Sequence, residues 1–599
     1  MFRAALLLLI IPFFAGFPQQ TDSIIAKIGN IEISQQEFQE RYELTPLLGK
    51  EIKSDASALK KEVLNSLIAE KLFSLKAQEM NIDTAEIVKR TLSGYKKMFV
   101  RDALYKKEIR HKAAKTADSL LTLYIGEASE VWFIYIPADD EQKINNLYAL
   151  LKKGVPFDSV YMEFSSSGDT LKTRIGDHDP EIEDEIFNLP EQAFTKPIFM
   201  DGSWYIVKIV KKINPVLTKI NGWEEEYKRL KKTAQERAEQ IYYKAYMVNF
   251  FKDKKIRARG DLLKLFAKKV DGVLELKATS RKSDTEKVFI SNIDILQIEN
   301  EINSEDLDSV YIELNGRDVT LKDFISYFRF EPIGLSKIDY QSVLDFLNSK
   351  TRHFIQQELL ADEGLREGVD KLPSVQYSYK MWRDNYYFYL LQNMFNDSTA
   401  VSDREVLDYY MAEGKKDSLG DEVRISEISV DSLETIETIL DEIDKGTDFE
   451  SLARRYSGEK ENTEFEPAVS FGEIGRISES MQPGGIYGPV KTGEKYSVFK
   501  LIDRRRKKEQ RSFESEKANI KETLARKKFQ EKLAEFTTSL AMKYGFSINQ
   551  EALSNIQVTS INSMVYQVLG FGGKIPAVPL SLPSIQWYNK WKEKHDIIQ

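Results

Sequence analysis

The chain has 599 residues, 42% of them hydrophobic and 30% charged, with a formal net charge of −8. That length predicts about three to five domains, and the mildly acidic balance offers no basic footprint for nucleic acid. The absence of Cys excludes disulfides, thiolate metal sites, thiol nucleophiles and a lipid-modified N-terminal Cys.

The opening MFRAALLLLIIPFFAGF places one Arg before an apolar run from Ala4 to Phe17. The run is shorter than the about 20 residues a spanning helix needs, and its charged start and short apolar core are those of a secretory signal. Residues 1–20 are therefore expected to be a signal peptide, with retention as an N-terminal anchor as the alternative. No later segment reads as an integral membrane span. Residues 21–126 read as helical. In ALKKEVLNSLIAEKLFSLKAQEM, Val63, Leu64, Leu67, Ile68 and Leu72 recur at helical spacing and predict one buried stripe. Residues 127–215 read as an α/β unit bounded by VWFIYIP and WYIVKIV, rich in the β-branched and aromatic residues of strands. A long helix and linker is expected over 216–309. A second helical segment (310–415) and a second α/β unit (416–507, with strands in DEVRISEISV and YSVFKLI) follow. A trailing helix (508–547) and a C-terminal arm (548–599) complete the chain.

The second half repeats the first. GVPFDSVYMEFSS starts at Gly154 and GTDFESLARRYSG at Gly446, 292 residues apart. Upstream, IGNIEISQQEF (from Ile28) resembles LNGRDVTLKDF (from Leu314), 286 residues on. IAEKLFSLKAQEMNID (from Ile68) resembles IQQELLADEGLREGVD (from Ile355), 287 residues on. Collinear matches at a nearly constant offset predict an α+β multidomain chain made by tandem duplication of a helical segment plus an α/β domain, joined by long helices. Gly154 and Gly446 are expected to end helices in the left-handed conformation, and Phe157 and Phe449 to fill cores. Of the four His, only His178 sits among carboxylates, in GDHDPEIEDE. That stretch reads as an exposed acidic loop, and no cofactor or metal is expected.

The order strand, helix, GTDFESLARRYSG, Gly-rich loop, GPVKT, strand resembles a parvulin-type peptidyl-prolyl isomerase domain over Asp421 to about Arg505. Glu127 to about Lys212 resembles a divergent member. The segment starting IAKIGNIEISQQEF resembles the N-terminal region of SurA-type periplasmic chaperones. The resemblance implies two His facing each other on the central strands, a Met and a Phe lining the pocket, and a Cys or Asp nearby. In the second unit the His positions fall on Glu427 and Ser497, and the Cys/Asp position falls near Glu459. In the first unit the His positions fall on Tyr135 and Tyr205, the Met position on His178 and the Phe position on Ile182. Phe187 and Tyr496 join His178, Ile182 and Glu459 as candidates for peptide binding. Both sites thus lack the His pair, and no catalytic residue is assigned.

What the resemblance implies is a periplasmic folding factor that binds extended apolar segments of unfolded polypeptides, with outer-membrane and envelope proteins as the natural clients. Two other readings stand beside it: an active isomerase with an altered site, and a non-enzymatic envelope scaffold. The arm, with GFGGKIPAVPLSLPSIQWY, suits a docking segment or a strap that packs back on the helical segment.

Overall fold

The computed structural model describes residues 23–598 except 46–55, 165–169, 280, 282–285, 396–399, 414–418, 457–463, 493–494, 509–512, 560–564 and 581–585. The signal-like run 1–20 lies outside the described residues. The chain forms two compact units, one of residues 1–101 with 256–599, the other of residues 102–255.

The first unit begins with the hairpin β1 (Ile24–Ile28) and β2 (Ile31–Ser34), then α1 (Gln35–Leu44), α2 (Ala56–Glu79) and α3 (Glu86–Tyr105). Ser34 caps α1 by accepting from the Glu37 amide at 3.2 Å. The stripe expected on α2 is buried, and Leu64, Leu67, Ile68 and Leu72 are at most 1% exposed.

The 102–255 unit holds α4 (His111–Gly126), β3 (Glu130–Ala138), α5 (Glu141–Lys152), α6 (Phe157–Phe164), β4 (Leu171–Arg174), α7 (Pro180–Phe187), β5 (Ile198–Met200), β6 (Ser203–Ile213) and the long α8 (Trp223–Phe251). Its antiparallel sheet has the order β4-β3-β6-β5. The pleat sends Ile136 and Ile206 to one face, against Ile144, Leu147 and Phe157 of α5 and α6. It sends Val131, Val207 and Ile209 to the other, against Ile186 and Phe187 of α7 and Leu230 and Ala234 of α8. Gly154 follows α5 at φ +96°, and Phe157 is buried.

The chain returns to the first unit through β7 (Ile256–Ala258), α9 (Gly260–Ala278), β8 (Val288–Ile290), α10 (Asn292–Glu301) and α11 (Ser304–Asp308). The stretch expected to be helix and linker is therefore built of further elements. Leu262, Phe266, Val270 and Leu274 of α9 form a buried stripe, with Phe266 edge-on to Phe324. There follow β9 (Val310–Leu314), β10 (Arg317–Thr320), α12 (Leu321–Tyr327), β11 (Ile333–Leu335), α13 (Tyr340–Arg366) and α14 (Pro373–Asn393). Apart from β11, this is the order of β1 to α3 again. Thr320 and Asp323 form a reciprocal capping box at α12, where Ser34 capped α1.

Next come α15 (Asp403–Glu413), β12 (Leu419–Val430), α16 (Leu433–Asp444), α17 (Phe449–Tyr456), β13 (Glu466–Pro467), α18 (Gly472–Ser478), β14 (Ile486–Thr492), β15 (Lys495–Lys508) and the long α19 (Phe513–Tyr544). The sheet order is β13-β12-β15-β14. Gly446 at φ +84° and buried Phe449 repeat Gly154 and Phe157. The chain ends in β16 (Phe546–Ile548), α20 (Gln550–Asn555), the hairpin β17 (Tyr566–Val568) and β18 (Lys574–Pro576), and α21 (Gln586–Ile598).

Each N-terminal hairpin takes its third strand from the end of the other half. β16 pairs with β1, Ile28 opposite Phe546 and Ala26 opposite Ile548. β7 pairs with β9, Leu314 opposite Ile256 and Ile312 opposite Ala258. The bond that closes each is also matched: the Asn549 amide donates to Ile25 O, and the Arg259 amide to Tyr311 O, both at 2.9 Å. The helices exchange likewise. α2 packs on α14, with Lys71 paired to Asp384, and α13 packs on α3, with Lys97 paired to Glu358. The two helical segments therefore form one body.

The arm packs back on that body. Trp587 is 1% exposed, and its indole N–H donates to Asn65 O at 3.3 Å. Val565, Ala577 and Val578 pack with Leu44, Tyr377 and Met381. Tyr566 and Leu580 pack on the second sheet domain. Among the described residues no helix is long and apolar enough to cross a membrane.

Candidate functional site

In the first sheet domain the pleat gathers most of the expected residues. Tyr135 on β3 and Tyr205 on β6 meet edge-on, centroids 5.5 Å apart at 73°. Ile182 and Phe187 of α7 and Ile198 of β5 join the same cluster. Phe187 is buried, while the two Tyr, Ile182 and Ile198 stay half-buried. The result is an apolar floor with part of each ring open, a surface that stacks on apolar or ring-bearing side chains.

The acidic loop above it is organised by a buried carboxylate. Glu183 accepts from the Gly176 amide at 2.7 Å and the His178 amide at 3.0 Å, and it pairs with Arg237 of α8. Asp177 accepts from the Arg174 amide at 2.7 Å. Burial opposes the charge on Arg237, but hydrogen bonds to Tyr124 and Glu183 outweigh it and raise its pKa. His178 is half-buried, and its carbonyl accepts from Arg237 at 3.4 Å. Among the described residues no cluster of His, Asp or Glu is arranged to hold a metal ion.

The second sheet domain places Glu427 and Ser497 on one face as well. Glu427 and Ser429 follow Val423 and Ile425 at the period of two that defines a strand face. Ser497 lies opposite Ser429 and donates to its hydroxyl at 3.1 Å. Ser497 is fully buried. β14 and β15 approach closely here: a Cβ on Gly488, at φ +153°, would lie 2.8 Å from the Ser497 backbone carbonyl oxygen. Met481 is buried below, and Tyr487 packs against Phe499 with centroids 6.0 Å apart. Burial raises the Tyr487 pKa. Where the first domain has a half-open aromatic pair, the second has a hydroxyl pair of which Ser497 is buried and Ser429 half-buried.

Tyr496 does not join Glu427 and Ser497. It points to the opposite face, in the cluster with Ile428 and Val498 that receives Tyr566 and Leu580 of the arm. Glu459 lies outside the described residues. Sequence reasoning missed Ser429, Met481 and Tyr487. Ser429 was open to a count of two from Glu427, whereas Met481 and Tyr487 reach the face through a loop whose path no spacing dictates.

Residues 1–109 match the family described as SurA-like N-terminal domain, and residues 401–518 the family described as PPIC-type PPIASE domain. The foldase protein PrsA 4 of Bacillus cereus is 32% identical over 139 residues, covering 22% of this chain and 45% of that protein. The foldase protein PrsA of Caldanaerobacter subterraneus is 26% identical over 214 residues, covering 30% of this chain and 70% of that protein. The chain spans less than half the length of the Bacillus and Geobacillus foldases it matches. Among solved structures, one of the SurA-like chaperones PEB4 and Cj1289 of Campylobacter jejuni aligns at 16% identity with a TM-score of 0.21, over 39% of this chain and 98% of that one. The PrsA peptidylprolyl isomerase of Bacillus anthracis aligns at 15% identity with a TM-score of 0.17, over 30% of this chain and 96% of that one. The two family matches give the chain a SurA-like N-terminal region and a PPIC-type domain.

Proposed function

We propose that this parvulin-type, SurA-like chain is an exported, periplasmic folding factor that holds extended apolar segments of unfolded envelope proteins, outer-membrane precursors among them. Its plan is a tandem duplication of a helical segment plus a parvulin-like domain, and its isomerase sites are degenerate. The observation that carries this reading is the pair of site faces. The positions of the family's His pair hold Tyr135 and Tyr205 in one domain and Glu427 and a buried Ser497 in the other. Prolyl isomerisation has a barrier of about 18–20 kcal/mol from amide resonance, and lowering it requires a grip that tightens on the twisted amide. A fully buried Ser497 offers no ring and no exposed donor to a proline. The half-open Tyr floor offers contact area for apolar side chains without such a grip. Several weak contacts on one chain add up through effective concentration.

The test is a paired assay on residues 21–599. One arm follows isomerisation of a short X-Pro peptide, the other suppression of aggregation of an unfolded β-barrel protein, in one buffer. Suppression with isomerisation at the uncatalysed rate is expected. Clear catalysis would make the chain an isomerase with an altered site. Neither activity, with one stoichiometric envelope partner, would make it a scaffold.

A further inference from the structure

The contact between the two helical segments uses corresponding residues of opposite character. Asn81 at φ 51° and Gly368 at φ 71° are the left-handed residues that separate α2 from α3 and α13 from α14, and they stand 287 residues apart. At that offset Lys71 on α2 corresponds to Glu358 on α13, and Lys97 on α3 to Asp384 on α14. The fold joins them crosswise. Lys71 Nζ lies 3.0 Å from Asp384 Oδ2, and Lys97 Nζ 2.6 Å from Glu358 Oε2. One pair of positions makes an ion pair twice, with the charges reversed. Glu37 also meets Lys71 at 2.6 Å, Arg383 meets Asp384 at 2.8 Å, and Arg317 meets Glu358 at 2.8 Å. Lys71, Asp384 and Glu358 are all buried.

Size is inverted next to charge. Gly94 on α3 faces Phe330, and a Cβ on Gly94 would lie 2.4 Å from the Phe330 ring. The corresponding residues are Met381, 287 residues on from Gly94, and Leu44, 286 residues before Phe330. Met381 and Leu44 pack in one cluster. One contact is Gly against Phe, the other Met against Leu.

Pairing like with like would fail on both counts. Two first segments would set Lys71 against Lys97 and leave Gly94 opposite Leu44 with a void. Two second segments would set Glu358 against Asp384 and drive Met381 into Phe330, where not even a Cβ fits. Like charges brought together away from water are costly, and a clash against the wrong partner adds to selectivity.

We infer that the two helical segments are mutually selective docking surfaces, each accepting the other and rejecting its own kind, so that the exchange of strands and helices joins a first segment to a second and not like to like. The inference rests on the recurrence of elements and is independent of the folding-factor reading.

The test is the light-scattering mass of the chain from Thr21 onward after refolding over about a hundredfold range of protein concentration. The unaltered chain is expected to be monomeric throughout. Lys97→Glu breaks the contact with Glu358 and gives the first segment a charge pair it can make with itself. Its dimer fraction should exceed that of the unaltered chain at least about tenfold. Adding Glu358→Lys restores an ion pair between positions 97 and 358 and should lower the dimer fraction below that of Lys97→Glu alone. Lys97→Gln, which removes the pair and creates no self-complementary surface, should lower the denaturation midpoint and stay monomeric. Should Lys97→Glu fail to fold, Glu358→Lys alone runs the same test from the second segment. A folded Lys97→Glu no more dimeric than the unaltered chain, or Lys97→Gln that dimerises as readily as Lys97→Glu, would each overturn the inference.

Discussion

The two sheet domains share a strand order and differ in what they do with their surfaces. Phe157 and Phe449, Gly154 and Gly446, and Glu130 and Glu422 occupy corresponding places. The faces have diverged. Tyr135 and Tyr205 leave a half-open floor in one domain, while in the other Ser497 is fully buried and bonded to a half-buried Ser429. On the opposite face, Trp204 packs on Phe199, which is 55% exposed, whereas its counterpart Tyr496 lies in the cluster that receives Tyr566 and Leu580 of the arm. A fold depends on the positions that fill its core, and those persist. The positions at the site faces differ in size and polarity, and each domain packs its own set, Tyr135 on Tyr205 in one and Ser497 on Ser429 in the other.

The largest test of the shared frame is Phe157→Ala against Phe449→Ala. Each should cost about 3–5 kcal/mol by emptying a core site, read from hydrogen exchange of its own sheet. A much smaller loss in one domain would show that the frames are not equivalent. Glu183→Ala should cost the first domain about 3 kcal/mol, since it leaves Arg237 half-buried without its carboxylate and two loop amides without an acceptor. The same exchange measurement should show no change in the second domain.

Returning an imidazole sharpens the contrast between the faces. Ser497→His should destabilise the second domain by about 1–3 kcal/mol, because the larger ring overpacks a fully buried position. Tyr205→His, at a half-buried position, should cost less than about 1.5 kcal/mol. Equal costs would mean that position 497 is no more tightly packed than position 205. For binding, Tyr135→Ala should weaken capture of an apolar peptide by up to roughly tenfold, the worth of an aromatic contact, with Ser497→Ala nearly neutral.

The smallest effect is one of pH. Burial opposes the charge on Glu130, but hydrogen bonds from Trp132 and Arg174 outweigh it and hold its pKa below the ordinary value. A depressed carboxylate contributes stability that is present above its unfolded pKa of about 4.3 and is lost as pH falls through the folded value. Glu130→Gln should therefore flatten the acid limb of first-domain stability and leave neutral pH little changed. An unchanged acid limb would remove Glu130 from the account.

The long elements were legible because each carries its own pattern. The α2 stripe, the strands at 130 and 203, and the Gly and Phe that end one helix and seat the next are written in residues close together in the chain. The α9 stripe was equally regular, yet an expected linker hid it. The strands Ile256–Ala258 and Phe546–Ile548 could not be read, because three residues hold no period. Nor did spacing tell whether GFGGKIPAVPLSLPSIQWY docks a partner or packs home. Its indole ring is decided by a cavity beside Asn65, more than five hundred residues away in sequence.

By itself, the sequence determined the long helices and strands, that a pattern returns after 286 to 292 residues, and that positions 135, 205, 427 and 497 hold no His. Only the tertiary structure decided that the halves exchange their third strands, that Lys71 meets Asp384 while Lys97 meets Glu358, and that Ser497 is buried while Tyr135 and Tyr205 stay half-open. The physical reason is range. Periodicity and capping act over a few residues, whereas burial and charge pairing depend on which distant surface arrives, and that is fixed only when the whole core closes.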